Sequence, residues 1–121
     1  MSFPCSLALC LKNDSAQGPP EAFIDNHEFC LLHSQPQAGV HLTLPREIRD
    51  RAIQLGWAEQ HPGVRGGIVP QTLVMLYAPR DAVELCAVLK LIHVSLRFAK
   101  GTPNGRPRYS SLIRDPSYAS I

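Results

Sequence analysis

Hydrophobic positions along the chain follow two different periods, and each predicts its own kind of element. The most continuous apolar run, Leu73-Val74-Met75-Leu76-Tyr77, has the length and residue types of a buried strand. Pro79 closes it, and Asp81 with Glu84 forms a D-x-x-E signal for the start of a helix. The helical period then continues to Lys100, and Gly101 supplies a C-terminal stop. Two apolar stripes run along this helix. Leu85, Leu89, Ile92, Leu96 and Ala99 make one; Val83, Ala87, Leu91, Val94 and Phe98 make the other. A helix lying on one face of a sheet needs a single stripe. The first is expected to pack on the sheet, and the second to be covered by the N-terminal segment or by a second copy of the chain.

Upstream, Ala22-Phe23-Ile24, Glu28 to His33 and Val40 to Leu44 fit short strands. The last two are expected to form an antiparallel hairpin around the turn-rich residues 34–39. Pairing Leu31 with Leu42 joins their apolar faces, sets His33 against Val40 and turns His41 to the opposite face. A register pairing His33 with His41 instead sets Leu31 against Thr43, so the first is the expected one. Pro45 opens a helix with an apolar face at Ile48, Ala52, Ile53 and Leu55, ended by Gly56. Trp57-Ala58-Glu59 can begin another strand, and His61 to Gly67 (HPGVRGG) is a loop. Residues 2–11 fit a strand or a helical turn equally well.

The order βββ-α-β-β-α has its strands clustered, which predicts an α+β fold. A small antiparallel or mixed sheet would carry two helices packed mainly on one face. Residues 1–20 are an undetermined N-terminal segment, 21–101 the α+β domain, and 102–121 a proline-containing basic tail. Before Arg97 there are seven Lys/Arg against nine Asp/Glu; from Arg97 onward there are five against Asp115 alone. The formal net charge of +2 is too small to imply nucleic acid. Charged residues interrupt the apolar runs, so no membrane partner is expected. The four cysteines have no zinc spacing, and without a secretory signature the expected location is cytoplasmic.

EFCLLH, VHLTLPREI, AIQLGWAEQHP and VMLYAPRDAVEL, in that order, resemble the luciferase-domain (luciferase-like) family of small bacterial and fungal proteins, some of which are labelled phospholipases. The resemblance covers about Glu28 to Gly101 and implies a small α+β domain without carrying a reaction over. Family members commonly read E-F-x-H-x-H in the first of these segments. Here Leu31 stands at the first histidine position and His33 at the second.

Whether the chain is an enzyme is left open by its residues. There is no G-x-S-x-G nucleophile elbow, and HPGVRGG lacks the ending of a phosphate loop. His61 and His33 are the candidate acid–base residues, since imidazole titrates near neutrality. No metal is expected, because the expected register separates His33 from His41, and no cofactor is implied. Two functions remain. One is a small-molecule site beside the Trp57–Gly67 loop, bound or transformed by Trp57, His61, Arg65 and Tyr77. The alternative is a non-catalytic homodimer formed through the second stripe of the 81–100 helix. The place of that stripe separates them: exposed, it favours assembly; covered, with a pocket beside Trp57, it favours a ligand.

Overall fold

The computed structural model of the protein describes residues 6–33 and 39–101, so the basic tail lies outside the described residues. Its strands are β1 (Ser6–Cys10), β2 (Glu28–His33), β3 (Val40–Thr43), β4 (Ala58–Gln60) and β5 (Leu73–Leu76). They form one antiparallel sheet in the order β1-β2-β3-β5-β4. Helices α1 (Arg46–Gln54) and α2 (Ala82–Lys100) join it, giving the α+β class. The strand alternative thus holds for the N-terminal stretch. Ala22-Phe23-Ile24 is no strand: a short 3-10 turn spans Pro20–Ala22 and buries Ala22 in the core.

The hairpin register differs by one residue from the expected one. Cys30 pairs with Leu42, Leu31 with His41 and Leu32 with Val40. Its cause lies at the turn exit, where Gly39 adopts a positive φ of 61° and its carbonyl accepts from the His33 N–H. A Cβ at Gly39 would stand 2.3 Å from the Leu76 carbonyl oxygen, so this approach requires glycine. The shift still leaves apolar rows facing the core: Cys30, Leu42 and Val74 in one, Leu32, Val40, Leu76 and Ala58 in the next. What changes is the placement of the polar side chains, because a one-residue slip exchanges the faces.

The ends of α2 match the sequence signals. The Asp81 carboxylate accepts from the Glu84 N–H at 2.8 Å, Glu84 accepts from the Arg80 N–H, and Gly101 closes the last turn at φ 79°. Its rotation is the reverse of expectation. Ala87, Leu91, Val94 and Phe98 are buried, whereas Leu85 is 45 % and Leu89 55 % exposed. Hydrophobicity alone does not choose between the stripes; side-chain size and polar pairing do. Small Ala87, Ser95 and Ala99 interleave with Leu91, Val94 and Phe98 and let the helix approach closely. The buried Ser95 hydroxyl donates to the Phe29 carbonyl at 3.3 Å. At the far end the Gly18 N–H donates to the Ala99 carbonyl at 2.9 Å. The second stripe is therefore covered within the chain and serves the core, apart from exposed Val83.

On α1 the buried residues are Ile48 and Ala52, while Ile53 is exposed. The turn at Glu21–Ala22 is fastened to the end of the sheet by two threonines: Thr43 donates to the Ala22 carbonyl at 2.7 Å, and Thr72 to that of Glu21. Arg46 adds an exposed ion pair with Glu21 at 3.1 Å.

Candidate functional site

A cleft of about 430 Å³ opens where the start of α2 meets the end of β5. Helical spacing brings Glu84, Ala87, Val88 and Leu91 to one wall; Leu76, Tyr77 and Ala78 come from the end of β5. Gly56 and Trp57 form the third side. Gly56 at φ 81° turns the chain out of α1, after which the Trp57 N–H bonds back to the Ala52 carbonyl at 2.9 Å. The Trp57 carbonyl in turn accepts from the Tyr77 N–H at 3.5 Å, so the two aromatic residues are placed together by backbone contacts.

Polar groups in this cleft are few. The indole Nε1–H of Trp57 is buried and meets no acceptor among the described residues. An unmatched buried donor is costly and is normally satisfied by protein, water or ligand. At the rim, Arg80 and Glu84 form an ion pair at 2.7 Å. Hydrogen bonding with Arg80 holds the Glu84 carboxyl below its usual range and raises the guanidinium in turn.

His61 and Arg65 do not line the cleft. Arg65 is exposed on the loop after β4, just beyond the 3-10 turn Pro62–Val64. His61 lies instead with two other histidines. His41 pairs with Leu31 and Met75, in alternation with Val40 and Leu76, and so leaves the sheet on the side away from the core. Its ring centroid is 4.6 Å from that of His33 and 5.0 Å from that of His61, both in edge-to-face contact. The expected separation of His33 from His41 is thereby corrected: the observed register puts both on one face.

His61 Nδ1 accepts from the Gly63 N–H at 3.0 Å, capping the Pro62–Val64 turn. The proton of neutral His61 therefore sits on Nε2, the reverse of the arrangement that frees Nε2 to bind a metal. Among the described residues, no group of three or more His, Cys, Asp or Glu side chains is arranged to hold a metal ion. Burial lowers the His61 pKa from its ordinary value. Cys30, inside the core, has its thiol pushed up to about 12 by burial, which excludes it as a nucleophile near neutral pH.

The sequence points to Trp57 and Tyr77 but not to Leu76, Ala87, Val88 and Leu91 as lining residues. The i, i+3, i+4, i+7 spacing from Glu84 to Leu91 was the available signal, hidden by assigning the other stripe to the sheet.

The luciferase-domain family profile matches residues 26–95, a span that includes the β2–β3 hairpin, Trp57, the three clustered histidines and most of α2. The chain belongs to the luciferase-domain family. Among its relatives are proteins named luciferase from the fungi Armillaria mellea (27 % identical over 81 residues) and Armillaria gallica (28 % over 80). Another, from Neonothopanus nambi, is 26 % identical over 81 residues. These matches cover 64–65 % of this chain and 30 % of each relative. No solved structure matches the chain. No helix among the described residues is long and apolar enough to cross a membrane.

Proposed function

We propose that this luciferase-family domain binds a small, mainly apolar molecule carrying a hydrogen-bond acceptor, in the cleft between Trp57 and the start of α2. One observation carries the reading: the buried Trp57 Nε1–H lacks an acceptor, and its side chain belongs to the wall of a mainly apolar cleft. Its volume suits a small organic molecule. Leu76, Val88 and Leu91 supply apolar contact, and the Trp57 N–H orients the ligand. Ligand binding is also favoured over a dimer through the Ala87–Leu91–Phe98 stripe, since that stripe is covered and the cleft lies beside Trp57. A calorimetric screen of small aromatic alcohols and ketones against the intact chain tests the proposal. Micromolar to millimolar binders that lose about three- to tenfold in affinity with Trp57→Phe are expected, the worth of one hydrogen bond. Binders indifferent to Trp57 and to the cleft would reject it.

The grouping of His33, His41 and His61 favours a second reading, in which these imidazoles act as acid–base groups. Turnover assays on whole-length luciferases carrying the corresponding domain would be insensitive to histidine replacement if the cluster were only structural.

A further inference from the structure

We infer that the outer face of α2 is a docking surface for an anionic phospholipid bilayer, a role separate from the cleft. Leu85, Leu89, Ile92 and Leu96 recur at helical spacing on that face; the first two are exposed and the last two half-buried against the core. One step around the helix, His93, Arg97 and Lys100 form an exposed stripe beside them. From Leu85 to Lys100 there is no carboxylate, and the 20 residues beyond Gly101 add Arg106, Arg108 and Arg114 against Asp115. Residues 1–84 carry nine acidic and six basic side chains, so positive charge is concentrated at this end of the chain.

Charge and shape together select the occupant. A second copy packed with its α2 parallel would bring Arg97 and Lys100 of both copies together, which like charges oppose; an antiparallel one would set them near Asp81 and Glu84, carboxylates already engaged by the helix start and by Arg80. Nucleic acid would meet the cations and leave Leu85 and Leu89 without apolar partners. An interfacial helix has this pattern: leucines enter the boundary between headgroups and acyl chains while neighbouring basic groups reach the phosphates. A single helix lying on a sheet is a ridge, and a bilayer surface receives a ridge more readily than a peptide that needs a groove. The sequence expectation of no membrane partner rests on the lack of a spanning segment, which surface docking does not require.

Vesicle co-sedimentation of the intact chain tests this. Binding is expected to phosphatidylcholine vesicles containing one third phosphatidylserine, not to phosphatidylcholine alone, and to weaken as salt rises. Arg97→Gln and Lys100→Gln should each lower the partition coefficient about fivefold. Leu89→Gln should lower it several-fold while leaving the unfolding midpoint unchanged, because the side chain lies outside the core. Absence of binding at low salt would overturn the inference. Binding indifferent to Leu89→Gln would do so as well, leaving simple attraction by the basic residues. Capture of soluble polyglutamate without vesicle binding would assign the face to an acidic protein instead.

Discussion

The two sides of the sheet are built from alternate residues of the same strands, yet they hold very different chemistry. On the core side Leu42, Val74, Leu76 and Leu91 are buried, and a cleft opens beside them whose wall includes Trp57, with its unmatched indole N–H. On the other, Leu31, His41, Met75 and Glu59 lie in one row across four strands, with His33 and His61 against the His41 ring. Apolar contact fixes the helix and shapes a pocket, whereas the other side gathers titratable groups around a single buried leucine, Leu31. Stability is therefore expected to reside on the helix side and pH sensitivity on the histidine side.

The largest expected effect tests the first half of that contrast. Leu91→Ala should cost about 2–5 kcal/mol, the usual range for removing a buried leucine. Leu89→Ala, two residues and just over half a turn away, should stay within about 0.5 kcal/mol of the parent. Chemical denaturation would show this, and equal losses for the two would mean the helix is turned differently. Gly18→Ala comes next. A Cβ there would lie 2.2 Å from the Phe98 carbonyl oxygen, so the end of α2 must shift, at about 1–3 kcal/mol. Thermal unfolding at the parent's midpoint would reveal any free accommodation. Thr43→Val should cost about 1–3 kcal/mol in the same assay, because the Ala22 carbonyl loses its donor.

Much of this architecture was legible in the sequence, and the errors share a cause. The order of elements from the hairpin to α2, the Asp81–Glu84 start and the Gly101 stop are local signals, and each holds. Rotation of α2 and the hairpin register depend on contacts between distant residues. Both α2 stripes are apolar; what separates them is Ser95 bonding to Phe29, the closeness of Gly18 to Phe98, and the small residues between. Matching Leu31 to Leu42 predicts one register, but Gly39 against Leu76 shifts it, and no pattern within the hairpin contains Leu76. That single residue of slip brings His33 and His41 together. The histidine cluster therefore leaves no sign in the sequence pattern.

The smallest expected effect belongs to the histidine side. Neutral His61 caps its turn through Nδ1, and burial lowers its pKa from 6.5. The unfolded chain therefore takes up the proton more readily. Stability from this group is fully present above pH 6.5, falls as the pH drops through the window between the ordinary and the lowered value, and then levels off. His61→Gln should flatten that part of the profile. An unchanged slope in the variant would remove His61 from the account.

The cleft itself is tested most directly at its one indole. Trp57 is the sole tryptophan of the chain, so a ¹⁵N-labelled sample gives one indole N–H signal. Titration with 2-naphthol, which offers an oxygen acceptor, should move that signal downfield and saturate. Naphthalene, of similar shape without the oxygen, should bind about three- to tenfold more weakly and produce no such hydrogen-bond shift. In Trp57→Phe the two should bind equally, followed by the Ala87 and Val88 methyl signals. An indole signal unmoved by either compound, or a naphthol preference that survives in Trp57→Phe, would contradict the proposed role of the cleft.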